Sequence, residues 1–293
     1  MIIFLKFIYS IIKTLVLSKF KVLNFKKYDF KNNEHLLILG NGPSLKKDAE
    51  KLLQFKKNKD CLGVNYFAAS NLFTDFKPSK YVIISTEYWK GDVNSDWHSD
   101  RMKLFDEMVD RCHWDMVLYV PAIAMKDKNW KIKMMKNTKI KIRYINLTPL
   151  EGSSKLISPL IKNYLGLPRP HNVIVPSIVV GLNCNYSKIY LSGVDHSWLE
   201  EVSVDNDNNV LIGQKHFYGS EFKNRSSLLS DKKKPVYWGG SGKTRRLHEV
   251  LVKFYYAFRS YWELKDLAEI YNSKIINLTE NSYIDAFERE KLV

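Results

Sequence analysis

The chain has 293 residues, 45% of them hydrophobic, which is enough for one large α/β domain with its own core and requires no second domain. A net charge of +15 and a pI near 9.4 imply an anionic partner, whether nucleic acid, a phospholipid surface or a phosphorylated substrate. Cys61, Cys112 and Cys184 are odd in number and form no C-x-x-C pair, which argues against a disulfide framework or zinc site and for a reducing cytoplasm.

The first segment, residues 1–30, reads as a basic amphipathic membrane-association element. Met1 to Leu17 is almost wholly apolar, and six lysines (Lys6, Lys13, Lys19, Lys21, Lys26 and Lys27) precede the first acid, Asp29. As a helix it places Lys6, Ser10, Lys13, Lys21 and Asn24 near one face, with Phe4, Ile8, Ile11, Leu15 and Val22 opposite. Seventeen residues span about 26 Å, short of the roughly 30 Å hydrocarbon core, and no small-residue cleavage site follows. The expectation is therefore a helix lying in the interface of an anionic membrane surface, as a peripheral protein on the cytoplasmic side of the cell membrane, with a spanning anchor and a buried or disordered segment as the alternatives.

Residues 31–293 read as the main domain. In His35 to Leu45 (H-L-L-I-L-G-N-G-P-S-L), Leu36 to Leu39 form a short apolar run that predicts a strand buried on both faces. It runs into Gly40-Asn41-Gly42-Pro43-Ser44, after which a helical pattern begins. The glycines permit positive φ and close backbone approach, Pro43 suits a first helical turn, and Ser44 can satisfy free N–H groups. Such a helix start attracts anions, so a nucleotide phosphate is expected there.

Further β-rich runs follow at Cys61 to Asn65, Tyr81 to Ser85, Met116 to Val120, Ile140 to Ile145, Ile189 to Val194 and Lys274 to Ile276. Their spacing leaves room for crossover helices, which predicts a Rossmann-like, doubly wound, mostly parallel sheet of about seven strands in a single domain. Residues 196–243 are polar and aromatic, and read as a lid-like excursion before a final helix starting near Thr244. Ligands of open α/β sheets bind beyond the carboxyl ends of strands, so the ends to inspect are Gly40 to Ser44, Asn65-Tyr66, Ser85 to Tyr88 and Ser192 to His196.

Three motifs are read as structural. Gly240-Ser241-Gly242-Lys243-Thr244 ends like a phosphate-binding loop, but Tyr237 stands where its first glycine belongs and no buried strand precedes it. Lys243 and Arg245 at a helix start remain candidates for an anionic phosphate or acceptor group. Asp205-Asn206-Asp207 mimics a metal-holding D-x-D but reads as a polar hairpin turn. The aromatics of Phe254 to Trp262 recur at helical spacing and read as core and interface, so no nucleic-acid partner is expected.

The blocks L-I-L-G-N-G-P-S-L, S-K-I-Y-L-S-G-V-D (Ser187 to Asp195) and N-L-T-E-N-S-Y-I-D-A-F (Asn277 to Phe287) resemble the bacterial sialyltransferase family that uses CMP-activated sialic acid. They are also similar to the Maf-type proteins of nonulosonic sugar transfer. The resemblance runs in order through most of residues 35 to 290. It implies a single Rossmann-like domain, inverting transfer from a CMP-sugar donor to a surface glycan or glycolipid acceptor, no metal or other cofactor, and a monotopic membrane habit. It places Gly40, Asn41, Gly42, Pro43 and Ser44 beside the nucleotide and Asn65 near the ribose or phosphate. Gly193 would line the cytosine pocket, and Asn281 and Ser282 would return to the same site.

The sequence departs from the family at two places. Where the family opens a helix with Thr-Ser, this chain offers Asn172 or Ser177. Where it keeps a catalytic histidine, the chain reads Tyr237 to Thr244, with glycine at that point. A base must come from elsewhere, and histidine matches neutral pH best. His216 in the excursion is preferred, with Tyr218 beside it to donate to the leaving phosphate. His248 in the final helix comes second, His196 follows Asp195, and Asp195 itself can orient either or act as base.

Overall fold

The computed structural model describes residues 2–17, 31–85, 87–90, 96–213, 233–236 and 243–292. Its elements are α1 (Ile2–Leu17), β1 (His35–Leu39), α2 (Ser44–Phe55), β2 (Asp60–Val64), α3 (Leu72–Phe76), β3 (Lys80–Val82), α4 (Glu87–Lys90), α5 (Asp96–Arg111), β4 (Met116–Pro121), α6 (Asn129–Met134), β5 (Ile140–Ile145), α7 (Ser154–Lys162), α8 (Ile174–Asn183) and β6 (Lys188–Ser192). Then come β7 (Val202–Val204), β8 (Val210–Ile212), β9 (Lys234–Pro235), a long final helix (Leu247–Ile270), β10 (Lys274–Asn277) and β11 (Glu288–Arg289).

An eight-stranded sheet, ordered β11-β10-β6-β1-β2-β3-β4-β5 and parallel in every pairing, forms the centre. The doubly wound Rossmann-like expectation holds, with one strand more than the seven predicted. Alternate residues of β1 feed the two cores. Leu36 and Ile38 pack with α7, α8 and the final helix, while Leu37 and Leu39 pack with α2, α5 and α6. The unbroken apolar run Leu36 to Leu39 is what a sheet covered on both faces demands. Phe254 and Tyr261 of the final helix are buried, as the helical spacing of its aromatics predicts, whereas Tyr255 and Trp262 are exposed.

Chain order reverses between β1 and β6: from β1 the sheet grows one way through β2 to β5 and the other way through β6, β10 and β11. The described part of the 196–243 excursion contains a small antiparallel sheet, β7-β8-β9, whose first hairpin is the one expected at Asp205-Asn206-Asp207 and whose third strand had no sequence signal. Asp205-Asn206-Asp207 is its β7–β8 turn: Asp205 Oδ1 accepts the N–H groups of Asp207 at 3.0 Å and Asn209 at 2.7 Å. The final helix begins at Leu247, three residues later than expected.

The N-terminal helix forms, but its faces are not those expected. Ser10 and Thr14 are buried, Phe7 packs against the core, and Phe4, Leu5, Ile8, Tyr9, Ile12 and Val16 face outward. Ser10 is the contact point, because its Oγ accepts the N–H of Glu151 at 2.9 Å and the small side chain lets the helix come close. An added Cβ on Gly152 would stand 3.2 Å from Phe7 Cβ. Among the described residues no helix is long and apolar enough to cross a membrane.

Candidate functional site

The turns after β1 and β6 are sewn together by their backbones. Gly40 N–H donates to Ser192 O at 2.7 Å and Gly42 N–H to Gly193 O at 2.8 Å. Gly193 has φ +67, which only glycine adopts without strain. Of the two reasons expected for Gly42, close approach holds and positive φ does not. Its φ is not positive, but a Cβ there would lie 1.8 Å from Asp195 Oδ2 and 2.7 Å from Gly193 O.

That contact corrects two further expectations. Asp195 Oδ2 accepts the Ser44 hydroxyl at 2.9 Å, and Oδ1 accepts the Ser44 N–H at 3.3 Å. The carboxylate from the end of β6 thus occupies the start of α2, the seat expected for a phosphate, and Ser44 donates to it instead of capping the helix with its own oxygen. Burial raises the Asp195 carboxyl above its ordinary value, with the Ser44 hydrogen bond opposing. The carboxylate is held against Ser44 and is not free.

Beside this contact a cleft of about 730 Å³ opens over the carboxyl ends of β1, β2, β3, β5 and β6. Asn41, Gly42 and Pro43 line it from the first turn, Asn65 from the second, Ser85 from the third, and Gly193, Asp195 and His196 from the sixth strand. Asn65 has φ 44, its carbonyl accepts the Tyr81 hydroxyl at 2.6 Å, and its buried Oδ1 has no partner. Asn41 Nδ2 donates to Val64 O at 3.1 Å, tying the first two turns together.

The opposite wall is the Arg169-Pro170-His171-Asn172 segment leading into α8. Asn172 Oδ1 accepts the N–H groups of Ile174 at 2.9 Å and Val175 at 3.3 Å, so this side chain opens the helix. Of the two alternatives for that role, Ser177 is excluded: it is fully buried inside α8 with its hydroxyl on Val173 O at 2.7 Å. His171 lines the cleft and stacks on Tyr256, ring centroids 5.9 Å apart. Its pKa is lowered to about 4 by burial and then by the charges of Lys253, Arg169 and Arg245. Sequence reading passed over His171, although the R-P-H-N run just before an apolar helix was the available signal.

The remaining expected residues fall elsewhere. His248 is exposed in the first turn of the final helix and does not line the cleft. Lys243 is exposed, whereas Arg245 approaches closely enough to act on His171. Ser282 is buried and donates to Val194 O at 2.6 Å, so it braces the β6 turn from behind. Asn281 lines a neighbouring recess of about 250 Å³ with Ser44, Lys47, Asp195, Glu200 and Glu280. His216, Tyr218 and Gly239 to Gly242 lie outside the described residues. Among the described residues no group of three or more His, Cys, Asp or Glu side chains is arranged to hold a metal ion.

Fold and cleft define an α/β protein of Rossmann-like type with a cavity at its topological switch point. Compared with known proteins, the chain is matched by no family model and by no curated protein.

Proposed function

We propose that the protein is a membrane-associated glycosyltransferase that moves a sialic-acid-like or other acidic sugar from a CMP-activated donor to a cell-surface glycan or glycolipid acceptor. Transfer is inverting and independent of metal. The observation that carries this reading is the cleft between the β1 and β6 turns, whose far wall holds a neutral histidine surrounded by Arg169, Arg245 and Lys253. A site of that charge suits a donor bearing a phosphate and a sugar carboxylate. Two of the three sequence blocks that resemble CMP-sugar transferases supply two of its turns.

In this reading the acceptor oxygen attacks the anomeric carbon, the bond from that carbon to the phosphate oxygen breaks, and CMP leaves with the electron pair. Asn41, Pro43, Asn65 and Gly193 hold the nucleotide, and Arg245 and backbone amides stabilise the departing phosphate in place of a metal. The acceptor proton goes to a histidine, either His171, which lines the cleft, or His216. The outward apolar face of α1, with Lys6 exposed on the same helix, supports a peripheral position on an anionic membrane surface.

A binding screen of CMP, UMP, GDP and ATP tests the reading. Preference for CMP is expected. Preference for GDP or ATP would favour a transferase or pyrophosphokinase using another nucleotide, and no nucleotide binding would favour a non-catalytic binder of anionic glycan or lipid.

A further inference from the structure

His196 occupies an unusual position. It follows Asp195 with φ 53, in the left-handed region, is only 9% exposed, and lines the cleft. Strained backbone of this kind persists where surrounding contacts hold it, and it gathers at functional sites. The contacts here are the indole of Trp198, stacked at 4.2 Å between ring centroids, and the hydroxyl of Tyr261 in the final helix, bonded to His196 Nε2.

The direction of that bond follows from its neighbours. Asn172 Oδ1 accepts two helix N–H groups, so it is the oxygen of the amide and can only accept. Tyr261 Oη lies 3.0 Å from it and donates its proton there. The Tyr261 oxygen is then the acceptor for His196, so Nε2 carries the imidazole proton and Nδ1 keeps the lone pair. The same relay fixes the Asn172 amide, whose buried Nδ2 has no hydrogen-bond partner. Two cleft residues thus offer one oriented acceptor, His196 Nδ1, and one oriented donor, Asn172 Nδ2.

We propose that His196 and Asn172, held by Tyr261, are the specificity-determining pair for an amino-bearing pyrimidine. His196 Nδ1 accepts the exocyclic amine and Asn172 Nδ2 donates to the adjacent ring acceptor. Cytosine presents that donor–acceptor edge, whereas uracil presents a carbonyl where the amine would be and sets oxygen against the imidazole lone pair. The inference deepens the CMP-donor reading and rests on it. His196 acts as an uncharged reader and not as an acid or base, since burial holds its pKa down to about 3. The groups packed against the ring are Trp198 from its own loop, Tyr261 from the final helix and, through Tyr261, Asn172 from the start of α8, none of which is charged.

The test is equilibrium binding of CMP and UMP to the full-length protein, to His196→Leu and to Tyr261→Phe, with folding of each variant checked by thermal melting. Wild-type protein is expected to prefer CMP by about 10- to 100-fold, the range for leaving a buried polar group unpaired. Both variants should bring the ratio toward one, and the wild-type ratio should stay flat from pH 5 to 8. Tyr261→Phe keeps the imidazole, so loss of preference there shows the oriented tautomer at work. An unchanged ratio in either folded variant, or a wild-type ratio that changes in that pH range, overturns the pair while CMP binding stands. Failure of wild-type protein to bind either nucleotide overturns the CMP reading itself.

Discussion

The Asp60 cluster and the cleft bury polar groups in different ways. Under the amino ends of the strands, Asp60 is 3% exposed and its carboxylate accepts Asn32 N–H and Asn33 Nδ2 at 2.9 Å each and the Tyr186 hydroxyl, with Lys80 Nζ 3.9 Å away. Over the carboxyl ends, Asn65 Oδ1, Asn172 Nδ2, His171 Nε2 and Ser192 Oγ are buried without partners. A buried group left unpaired costs about 1–3 kcal/mol, so it persists where something else offsets the loss. The paired cluster around Asp60 braces the fold, and the unpaired groups of the cleft are those the proposed nucleotide would meet.

Breaking the first cluster gives the largest expected effect. Asp60→Ala leaves Lys80 buried without its carboxylate and should lower stability by about 3–5 kcal/mol in urea unfolding, without altering nucleotide affinity of the folded fraction. Gly42→Val should act on both properties. The added side chain displaces Asp195 from Ser44 and costs about 1–3 kcal/mol by overpacking, and the distorted β1 turn should also lose nucleotide binding. A folded variant with wild-type affinity would separate that turn from the site.

The membrane face provides a contrast to both. Ile8→Glu with Ile12→Glu changes residues that face outward on α1, so stability should move by no more than about 0.5 kcal/mol per substitution while sedimentation with anionic vesicles is lost. Retained sedimentation would move the contact to another surface.

The smallest effect concerns Asp195. Its folded pKa lies above the ordinary value of 3.8, so the native state holds its proton to higher pH than the unfolded chain does. Stability from this group is therefore greatest below the ordinary value and falls as pH rises through the folded one. Asp195→Asn should remove that fall from the stability–pH curve, and an unaltered curve would contradict the assignment.

Comparison of sequence and structure follows the same division. Leu36 to Leu39 announces β1 because a strand covered on both faces must be apolar throughout, and six other strands were located within a few residues. Glu288–Arg289 carries no such signal, since a charged two-residue edge strand is defined only by its neighbour β10. The first and sixth turns were legible as glycine-bearing strand ends. The partner of Ser44 was not, because Asp195 stands 151 residues away and reaches it only through the β1–β6 pairing. His171 escaped notice for the same reason: its importance comes from Tyr256 in the final helix.

Amide and side-chain NMR during titration with CMP tests the central claim most directly. Shifts are expected at Asn41, Gly42, Asn65, Asn172, Gly193 and His196, with Asp60, Lys80 and Tyr186 unmoved. Saturable shifts centred on the Asp60 cluster, or none at the six cleft residues, would contradict the assignment of the cleft as the ligand site.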